Sequence, residues 1–294
     1  MLDHAAANRQ WGGNQLGISS FILASPFSDQ DVDQFDYALK LGYDLFEVCI
    51  EDTNLVSSQA LNSAAERTGL AISICGAFGP ERDVSHEDFA NRREGIGYLK
   101  HCVDVAAEVG SPHVAGPMYS ATGKARLLSP AERAEQRAQA VDSLREAADY
   151  AGERGVRLAI EPLNRFETDL VNTVEQGLEL CSLIDRENVG LMLDTFHMNI
   201  EEKAPGAAIR LAGDKVFHFQ VSENDRGTPG SGNVAWADVF SALRDINYRG
   251  AIVVESFLPT VAEIARAVSL WRPVAGSMDE LAREGLAFIQ ASVR

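Results

Sequence analysis

Short apolar runs alternate with longer amphipathic stretches from one end of the chain to the other. The runs are rich in Val, Ile, Leu and Phe, and the stretches between them have the period of a helix. This alternation predicts βα units, in which each strand is followed by a helix that covers the sheet. Eight runs qualify as strands, at residues 16–22, 43–50, 70–78, 113–119, 156–163, 189–197, 216–223 and 251–257.

The number of these units selects between two α/β architectures. An open doubly wound sheet also alternates strands and helices, but it usually carries a glycine-rich turn after its first strand. Residues 16–22 are followed by no such turn, and no linker or change of composition divides the 294 residues. Eight units in this length match a closed barrel. We therefore expect an α/β fold with one domain over residues 1–294, a single (β/α)8 TIM barrel.

Charge and composition exclude several classes of protein. The formal net charge of −17 disfavours nucleic acids and anionic membranes as partners, because both repel an acidic surface. The chain has no run of about 18 apolar residues, and residues 1–11 lack the basic start and apolar core of a signal peptide. We therefore expect a cytoplasmic protein that binds a small molecule, with neither nucleic acid nor membrane as a partner. The cysteines lack C-x-x-C spacing and are expected to be buried, reduced thiols, namely Cys49, Cys75, Cys102 and Cys181.

Several of the later candidate strands end on a polar side chain. In a barrel of this kind the catalytic groups lie at the C-terminal ends of the strands. Glu161, Asp194 and Glu255 occupy that position in the fifth, sixth and eighth candidate strands. The seventh strand presents His218 and Gln220 on one face, because side chains alternate along a strand. We expect these side chains to meet at one end of the barrel.

The strand-end carboxylates need a counter-charge. A carboxylate in an apolar strand is unfavourable unless it is paired or bound to a metal, and three neighbouring carboxylates repel one another without a cation. Carboxylate oxygens together with one neutral O or N donor suit a hard or borderline divalent ion such as Mn²⁺, Mg²⁺ or Co²⁺. A buried salt bridge or a helix cap explains any one of the carboxylates, but it explains all of them together less well. We therefore predict one divalent metal ion.

Specific motifs around these residues resemble the D-tagatose/D-psicose (allulose) 3-epimerases. These form the ketose 3-epimerase family within the xylose isomerase-like TIM-barrel superfamily of sugar isomerases and epimerases. The motifs cover roughly the C-terminal half of the chain, and the N-terminal half agrees mainly in its βα rhythm. The resemblance rests on EPLNRFE at 161–167, LVNT at 170–173, LDTFHMNIEE at 193–202, Glu223, DRGTPG at 225–230, ESF at 255–257 and WRP at 271–273.

The resemblance implies a metal-dependent isomerase that inverts C3 of a free ketose of the D-tagatose, D-psicose or L-ribulose type. It assigns Glu161, Asp194 and Glu255 to the metal, with Mn²⁺ as the first expectation and Co²⁺ or Mg²⁺ as alternatives. The same resemblance makes Glu161 and Glu255 the acid/base pair. One removes the C3 proton to give an enediolate, which the metal stabilises, and the other returns a proton to the opposite face.

The resemblance also assigns substrate contacts and a quaternary structure. It implies that Glu167, His197 and Arg226 contact the sugar. His197 would bind the C2 and C3 oxygens, and Arg226 would hold a substrate oxygen with its guanidinium fork. From the residues alone, His197 is equally well explained as a core histidine bonded to the backbone. Family likeness further implies a homodimer or a homotetramer.

One position departs from the family. Its fourth metal ligand is a histidine on the seventh strand, and the matching residue in this sequence is Gln220. A glutamine oxygen coordinates hard divalent ions but is a weaker donor than imidazole. His218 is the alternative fourth ligand, or a partner behind it. Hydroxypyruvate isomerase-like members of the superfamily carry glutamine there, so aldose/ketose or hydroxypyruvate-type isomerisation is the alternative reaction.

Two further classes of protein fit the same scaffold. A DNA-repair endonuclease of the endonuclease IV type would need more histidines at the strand ends and a basic groove, which the net charge of −17 disfavours. The other class is a non-catalytic sugar-binding protein, in which Gln220 would have replaced a histidine ligand when the metal site was lost. DNA retention at low salt and elemental analysis distinguish these two alternatives from the epimerase.

Overall fold

The structure is a computed structural model that describes residues 13–293. The expectation for residues 1–11 therefore lies outside the described residues. Eight parallel strands pair in chain order, and the last strand pairs with the first, so that the sheet closes. This confirms the predicted (β/α)8 barrel. The strands are β1 Leu16–Ser19, β2 Leu45–Ile50, β3 Ala71–Gly76, β4 His113–Gly116, β5 Arg157–Ile160, β6 Val189–Asp194, β7 Val216–Val221 and β8 Ile252–Val254.

Helices surround the barrel, and the last of them, Met278–Ser292, packs against β1 and β8 where the sheet closes. Local signals fix the helix ends. The Ser129 hydroxyl accepts from the backbone N–H of Glu132, and the Glu132 carboxylate accepts from the backbone N–H of Ser129, which is a capping box at the start of the helix Pro130–Gly152. Among the described residues, no helix combines the length and the apolar character that crossing a membrane requires. The helices are α1 Gln34–Leu41, α2 Ser58–Thr68, α3 Phe89–Val109, α4 Pro130–Gly152, α5 Val174–Ile184, α6 Thr195–Glu201, α7 Pro205–Ala212, α8 Trp236–Asp245, α9 Ala262–Ala267 and α10 Met278–Ser292.

Most strands are shorter at their C-terminal ends than the sequence predicts. The first candidate strand, 16–22, turns into a 3-10 helix over Ser20–Ile22, and the sixth, 189–197, ends at Asp194. Apolar residues continue beyond both ends, so the hydrophobic pattern alone does not mark the point where hydrogen bonding to the next strand stops. The extra residues leave the sheet and form the rim of the barrel, where the predicted site lies.

The barrel wall separates an apolar outer core from a polar interior. Outward-facing Ile18, Phe46 and Ile74 pack with Leu61 and Leu99 of the helices in one buried cluster. Each such side chain contributes about 1.5–3 kcal/mol by its removal from water. The interior face carries several polar side chains that are at most 2% exposed, namely Ser19, Glu47, Ser73, His113, Asp194, His218 and Gln220.

Candidate active site

Three carboxylates lie at the C-terminal end of the barrel. Glu161 and Glu255 each follow the last residue of their strand, β5 and β8, and Asp194 is the last residue of β6. Backbone hydrogen bonds keep the two glutamates beside the sheet: Glu161 N donates to Gly116 O at 3.1 Å, and Glu255 N donates to Val221 O at 3.1 Å. All three side chains are buried. The structure therefore brings the three predicted carboxylates to the same end of the barrel.

Arg226 lies between two of these carboxylates. Its Nη1 donates to Asp194 Oδ2 at 2.6 Å and to Glu255 Oε2 at 2.8 Å. Its guanidinium carbon lies 3.8 Å from the centroid of the Phe196 ring. The residue is buried and has a φ of 65°, in the left-handed region that non-glycine residues rarely adopt. Such backbone strain is typical of functional sites, and here it aims a positive charge at the carboxylates.

His197 faces the same group of residues. Helix α6 begins directly after Asp194, which places His197 on its first turn. The ring Nδ1 accepts from the backbone N–H of Asn164 at 3.1 Å, and Nε2 lies 3.5 Å from Glu161 Oε1 and 3.2 Å from Arg226 Nη2. Burial, and then the charge of Arg226, lower the pKa of His197 to about 3. His197 is therefore a neutral imidazole whose Nε2 faces Glu161 and Arg226 in the site.

Asn164 joins two of the predicted substrate contacts. Its Nδ2 donates to Glu167 Oε1 at 2.7 Å and lies 2.9 Å from His197 Nδ1. Burial raises the pKa of the half-buried Glu167 carboxyl, and Arg226 opposes that shift. Asn164 therefore orients the side chains of both Glu167 and His197. The sequence analysis contained Asn164 only as one letter of the EPLNRFE motif and gave it no role.

The charges at the site do not balance with the protein alone. Burial, followed by repulsion from Glu255 and Asp194, raises the pKa of Glu161 well above its usual range. Burial also raises the pKa of Glu255 well above its usual range, against the opposing effect of Arg226. One guanidinium thus faces three carboxylates. A divalent cation would remove this repulsion, and Glu161, Asp194 and His197 offer ligand atoms within 4.8 Å of one another.

Gln220 and His218 point into the barrel but are both bound to Glu47, a residue that the motif analysis did not select. Gln220 Nε2 donates to Glu47 Oε1 at 2.6 Å, and His218 Nε2 lies 2.5 Å from Glu47 Oε2. Ser73 Oγ also donates to Glu47 Oε2, at 3.2 Å. Burial raises the pKa of Glu47, but the facing His218 and these hydrogen bonds lower it below its ordinary value. Both oxygens of the buried Glu47 carboxylate therefore already accept hydrogen bonds from the protein.

The donor set fits a metal ion in one further respect. Gln220 Oε1 is buried and has no hydrogen-bond partner in the protein. Gln220 is also the register partner of Asp194, so the two side chains leave neighbouring strands at the same level. An unpartnered buried carbonyl oxygen beside carboxylates suits a hard divalent cation. His218, by contrast, uses its Nε2 for Glu47, and its ring lies 4.5 Å from that of His113.

The site opens into a cavity of about 300 Å³ with one polar and one apolar wall. The rings of Phe21 and Phe257 lie 4.9 Å apart on the apolar wall. A larger groove of about 790 Å³ shares the rim residues Pro80, Thr122 and Gly123, but the strand-end carboxylates do not line it. The polar wall of the smaller cavity consists of Glu161, Glu167, His197, Arg226 and Glu255.

Glu223 organises the glycine-rich loop after β7. Its Oε2 accepts from Gly230 N at 2.8 Å and from Trp236 Nε1 at 3.0 Å, and its Oε1 accepts from Val234 N at 3.1 Å. Arg226 lies in this loop. The loop is therefore a fixed turn that holds Arg226, which agrees with the absence of a phosphate-binding lysine from residues 227–232.

The cysteines of the described residues are free and buried. This confirms the expectation for all four residues named above. Cys49 and Cys75 are register partners on β2 and β3, and with Glu47 they offer ligand atoms within 4.8 Å of one another. Burial raises the pKa of Cys49 against the opposing effect of its hydrogen bond with Cys75. The contact with Cys49, and then burial, raise the pKa of Cys75 well above its usual range. Both thiols are therefore in the unreactive protonated form.

Comparison with known proteins identifies the fold family first. A family model described as xylose isomerase-like TIM barrel matches residues 35–291. The chain therefore belongs to this family, as the sequence motifs predicted.

Relatives of known activity narrow the assignment. The D-psicose 3-epimerase of Agrobacterium fabrum is 36% identical over 259 residues, which cover 85% of this chain and 89% of that protein. A probable ketose 3-epimerase of Synechocystis sp. is 33% identical over 276 residues, 94% of this chain and 96% of that protein. The crystal structure of D-allulose 3-epimerase from Methylomonas sp. in complex with D-allulose superposes with a TM-score of 0.89 at 30% identity, and covers 95% of this chain and 97% of that one. Within the xylose isomerase-like barrels, the chain thus belongs to the ketose 3-epimerases and is an enzyme of the isomerase class.

Proposed function

We propose that the protein is a metal-dependent epimerase that inverts C3 of a free ketose of the D-tagatose, D-psicose or L-ribulose type. One observation carries the proposal: Glu161 and Glu255 are buried carboxyls at the ends of β5 and β8 that line the same cavity. Two carboxyls in one cavity can accept a proton from a bound substrate and donate a proton to it. The known activities of the relatives support the same reaction.

The positions of the two glutamates support inversion rather than simple proton exchange. Glu161 follows β5 and Glu255 follows β8, and two strands of the closed barrel separate these. The carboxyls therefore approach a sugar in the cavity from different directions. One carboxylate takes the C3 proton, and the other carboxyl, in its acid form, returns a proton to the opposite face. After one turnover the first glutamate carries the proton and the second is ionised. In the reverse reaction the two glutamates therefore exchange the roles of acid and base.

The metal belongs to the same proposal. When bound, a divalent ion supplies the positive charge that makes the C3 proton more acidic and stabilises the enediolate. Glu161, Asp194 and Glu255 would hold it, with Gln220 Oε1 as the fourth donor. Carboxylate and amide oxygens suit hard ions such as Mn²⁺ and Mg²⁺. We keep Mn²⁺ as the expected resident metal, with Co²⁺ or Mg²⁺ as alternatives, because the family resemblance implies it.

The remaining polar residues would bind and orient the sugar. His197 presents its Nε2 to the site, and Arg226 presents its guanidinium from a rigid loop. Glu167, held by Asn164, offers a carboxylate to a sugar hydroxyl. The Phe21 and Phe257 rings exclude water from one side and pack against the apolar face of the ring or chain of the sugar.

A test of the proposed reaction uses the metal-loaded protein with several ketoses. We expect interconversion at C3 for at least one of D-fructose, D-psicose, D-tagatose and L-ribulose, measured by chromatography of the reaction mixture. The matched control is protein treated with chelator and returned to the same buffer. No turnover of any ketose with Mn²⁺, Co²⁺ or Mg²⁺ would overturn the proposal.

A second reaction is favoured by one specific observation. Gln220 stands where the family carries histidine, and hydroxypyruvate isomerase-like relatives of the superfamily carry glutamine there. Aldose/ketose or hydroxypyruvate-type isomerisation would also begin with removal of a proton beside the carbonyl. The proton would then be returned to the former carbonyl carbon, so that the carbonyl group changes position. Assay with an aldose and with hydroxypyruvate, under the conditions used for the ketoses, distinguishes the two reactions.

The proposal includes a quaternary structure and a location. Several large apolar side chains are exposed, which supports a homodimer or a homotetramer: Phe89, Leu127, Phe166, Leu211 and Trp271. Light scattering after size exclusion should give two or four times the chain mass of 31.9 kDa. Buried free thiols are in keeping with a cytoplasmic location.

A further inference from the structure

Glu47 lies beneath the proposed metal site and contacts none of the strand-end carboxylates through a hydrogen bond. It sits in the middle of β2, is fully buried, and accepts from three donors on two other strands, namely Ser73 on β3 and His218 and Gln220 on β7. A buried charge is costly, so a carboxylate at this place needs a structural or functional reason. One of the two donors on β7 is Gln220, the residue that departs from the family pattern.

The chemistry of a carboxylate fixes the orientation of the Gln220 amide. An ionised carboxylate only accepts hydrogen bonds, so the Gln220 atom 2.6 Å from Glu47 Oε1 has to be the amino group. The carbonyl oxygen of the same amide is then directed away from Glu47. Gln220 Oε1 has no partner in the protein although it is buried. Without Glu47, either end of the amide could face the site.

We propose that Glu47 is a positioning residue that fixes Gln220 with its carbonyl oxygen towards the Glu161, Asp194 and Glu255 site. The inference rests on the proposed function, because it treats Gln220 Oε1 as a donor to the metal. A carboxylate behind a metal ligand orients that ligand and increases its donor strength. By binding the amino group of Gln220, Glu47 leaves the Gln220 carbonyl oxygen to face the metal site. In the opposite orientation the amide would present N–H groups, which repel a cation.

His218 and Ser73 complete this arrangement from the other side. Both bind Glu47 Oε2, at 2.5 Å and 3.2 Å, while Gln220 alone binds Oε1. The carboxylate is therefore anchored by one oxygen and orients Gln220 with the other. This division provides a matched control, because a change at Ser73 disturbs the anchor but leaves the bond to Gln220.

The test measures Mn²⁺ binding by calorimetry in the metal-stripped protein and its variants. Glu47→Gln keeps the size of the side chain but removes the charge, so the Gln220 amide is free to turn. We expect the dissociation constant for Mn²⁺ to rise by about 10- to 100-fold, the usual effect of a residue behind a metal ligand. Ser73→Ala should change the dissociation constant by less than a factor of about 3, since Gln220 keeps its hydrogen bond to Glu47 Oε1.

A double-mutant cycle separates positioning from general damage to the barrel. If Glu47 acts through Gln220, Glu47→Gln should add no further loss of Mn²⁺ affinity once Gln220→Leu is present. Additive losses would overturn the proposal, and so would unchanged affinity in Glu47→Gln. If the wild type binds none of Mn²⁺, Co²⁺ or Mg²⁺, then the proposed function itself fails. If Glu161→Gln abolishes binding while Glu47→Gln does not, only the positioning role fails.

A measurement on the wild type covers the case in which Glu47→Gln does not fold. The side-chain N–H₂ signals of Gln220 can be identified in ¹⁵N NMR spectra by their loss in Gln220→Leu. We expect these protons to exchange slowly with solvent in both the metal-free and the metal-loaded protein, because Glu47 holds them. Fast exchange in the metal-loaded form would contradict the proposed orientation.

Discussion

The two glutamates of the proposed acid/base pair differ in what holds them. Glu255 accepts from Arg226 Nη1 at 2.8 Å, whereas Glu161 has the neutral His197 at 3.5 Å. Arg226 therefore stabilises the ionised form of Glu255 more directly than that of Glu161. At the scale of single residues, the site combines one carboxyl beside a fixed cation with one beside a neutral imidazole, a difference suited to proton exchange.

Replacement of either glutamate should abolish proton transfer but not the fold. In Glu161→Gln and in Glu255→Gln, kcat should fall by about 10²- to 10⁴-fold, because an amide cannot accept the C3 proton. Initial rates with the preferred ketose provide the measurement. Glu146→Gln is the control, since Glu146 only pairs with surface Arg93 and Lys100. A variant of either site glutamate with normal kcat would exclude that residue from the acid/base pair.

Asn164→Ala tests the link between Glu167 and His197. Loss of the amide leaves both side chains with one donor fewer, and we expect KM for the ketose to rise together with a loss of about 1–3 kcal/mol of stability. Asn188→Ala is the matched control, because its amide donates only to backbone carbonyls of Ala148 and Val156. The control should lose stability and keep its KM. An unchanged KM in Asn164→Ala would show that these two residues do not hold the sugar.

At the scale of elements, strand ends and the turns after them position the site. β4 ends at Gly116, which has a φ of 127° and whose carbonyl accepts from Glu161 N. A Cβ at Gly116 would lie 2.8 Å from the backbone oxygen of Gly76 on β3. The close contact between β3 and β4 therefore leaves room for no side chain, and it supports the turn that carries Glu161.

Gly116→Ala should lower the free energy of unfolding more than a glycine-to-alanine substitution at which the added Cβ contacts nothing. We expect a loss of about 1–3 kcal/mol from the backbone conformation, with a further loss from the contact to Gly76. Gly123→Ala is the control, because its φ of 89° is also left-handed but nothing lies within 4 Å of the added Cβ. Chemical denaturation measures both variants. Equal losses in the two variants would show that the contact with Gly76 contributes nothing.

The comparison of sequence and structure is clearest for β6. The apolar run predicted a strand over 189–197, but the chain turns into α6 after Asp194, whose carboxylate accepts from Phe196 N at 2.9 Å. The sequence shows Asp194 as a candidate helix cap, but apolar residues continue through Phe196 and Met198. Hydrophobic periodicity does not indicate where the pairing of one strand with the next ends. The eight strands themselves followed from the pattern, because each is buried on both faces.

Site residues were predictable where a carboxylate stood at a strand end or in a motif. Glu47 was not selected, although it is a lone carboxylate in the apolar strand LFEVCI and the same argument applied to it. It lies in the middle of its strand, where a barrel is expected to be packed rather than catalytic. Its contacts with Ser73 and Gln220 join residues that are far apart in the chain. Only the closed barrel brings them together.

At the scale of the whole molecule, the barrel brings buried negative charge to one end. Asp194 and the two glutamates share one guanidinium, and repulsion among them opposes folding at neutral pH. A bound divalent cation should therefore stabilise the entire fold, and not only the rim, because the ligands belong to β5, β6 and β8.

Metal addition should raise the stability of the whole chain. With Mn²⁺ at 100 times its dissociation constant, we expect a gain of about 2.7 kcal/mol in the free energy of unfolding, visible as a higher melting temperature. Chelation should reverse the gain. Glu161→Gln should lose most of it, whereas the surface variant Glu146→Gln should retain it. A melting temperature that does not respond to Mn²⁺, Co²⁺ or Mg²⁺ would contradict a metal site in this barrel.

The position of a solvent-derived label tests the proposed reaction most directly. The metal-loaded protein is incubated with a ketose in D₂O, and the recovered sugars are analysed by NMR. Proton exchange through Glu161 and Glu255 predicts deuterium at C3 of the epimerised ketose, because the returning proton comes from a carboxyl that exchanges with solvent. Deuterium at C1, or an epimerised product without label at C3, would contradict the proposed C3 inversion.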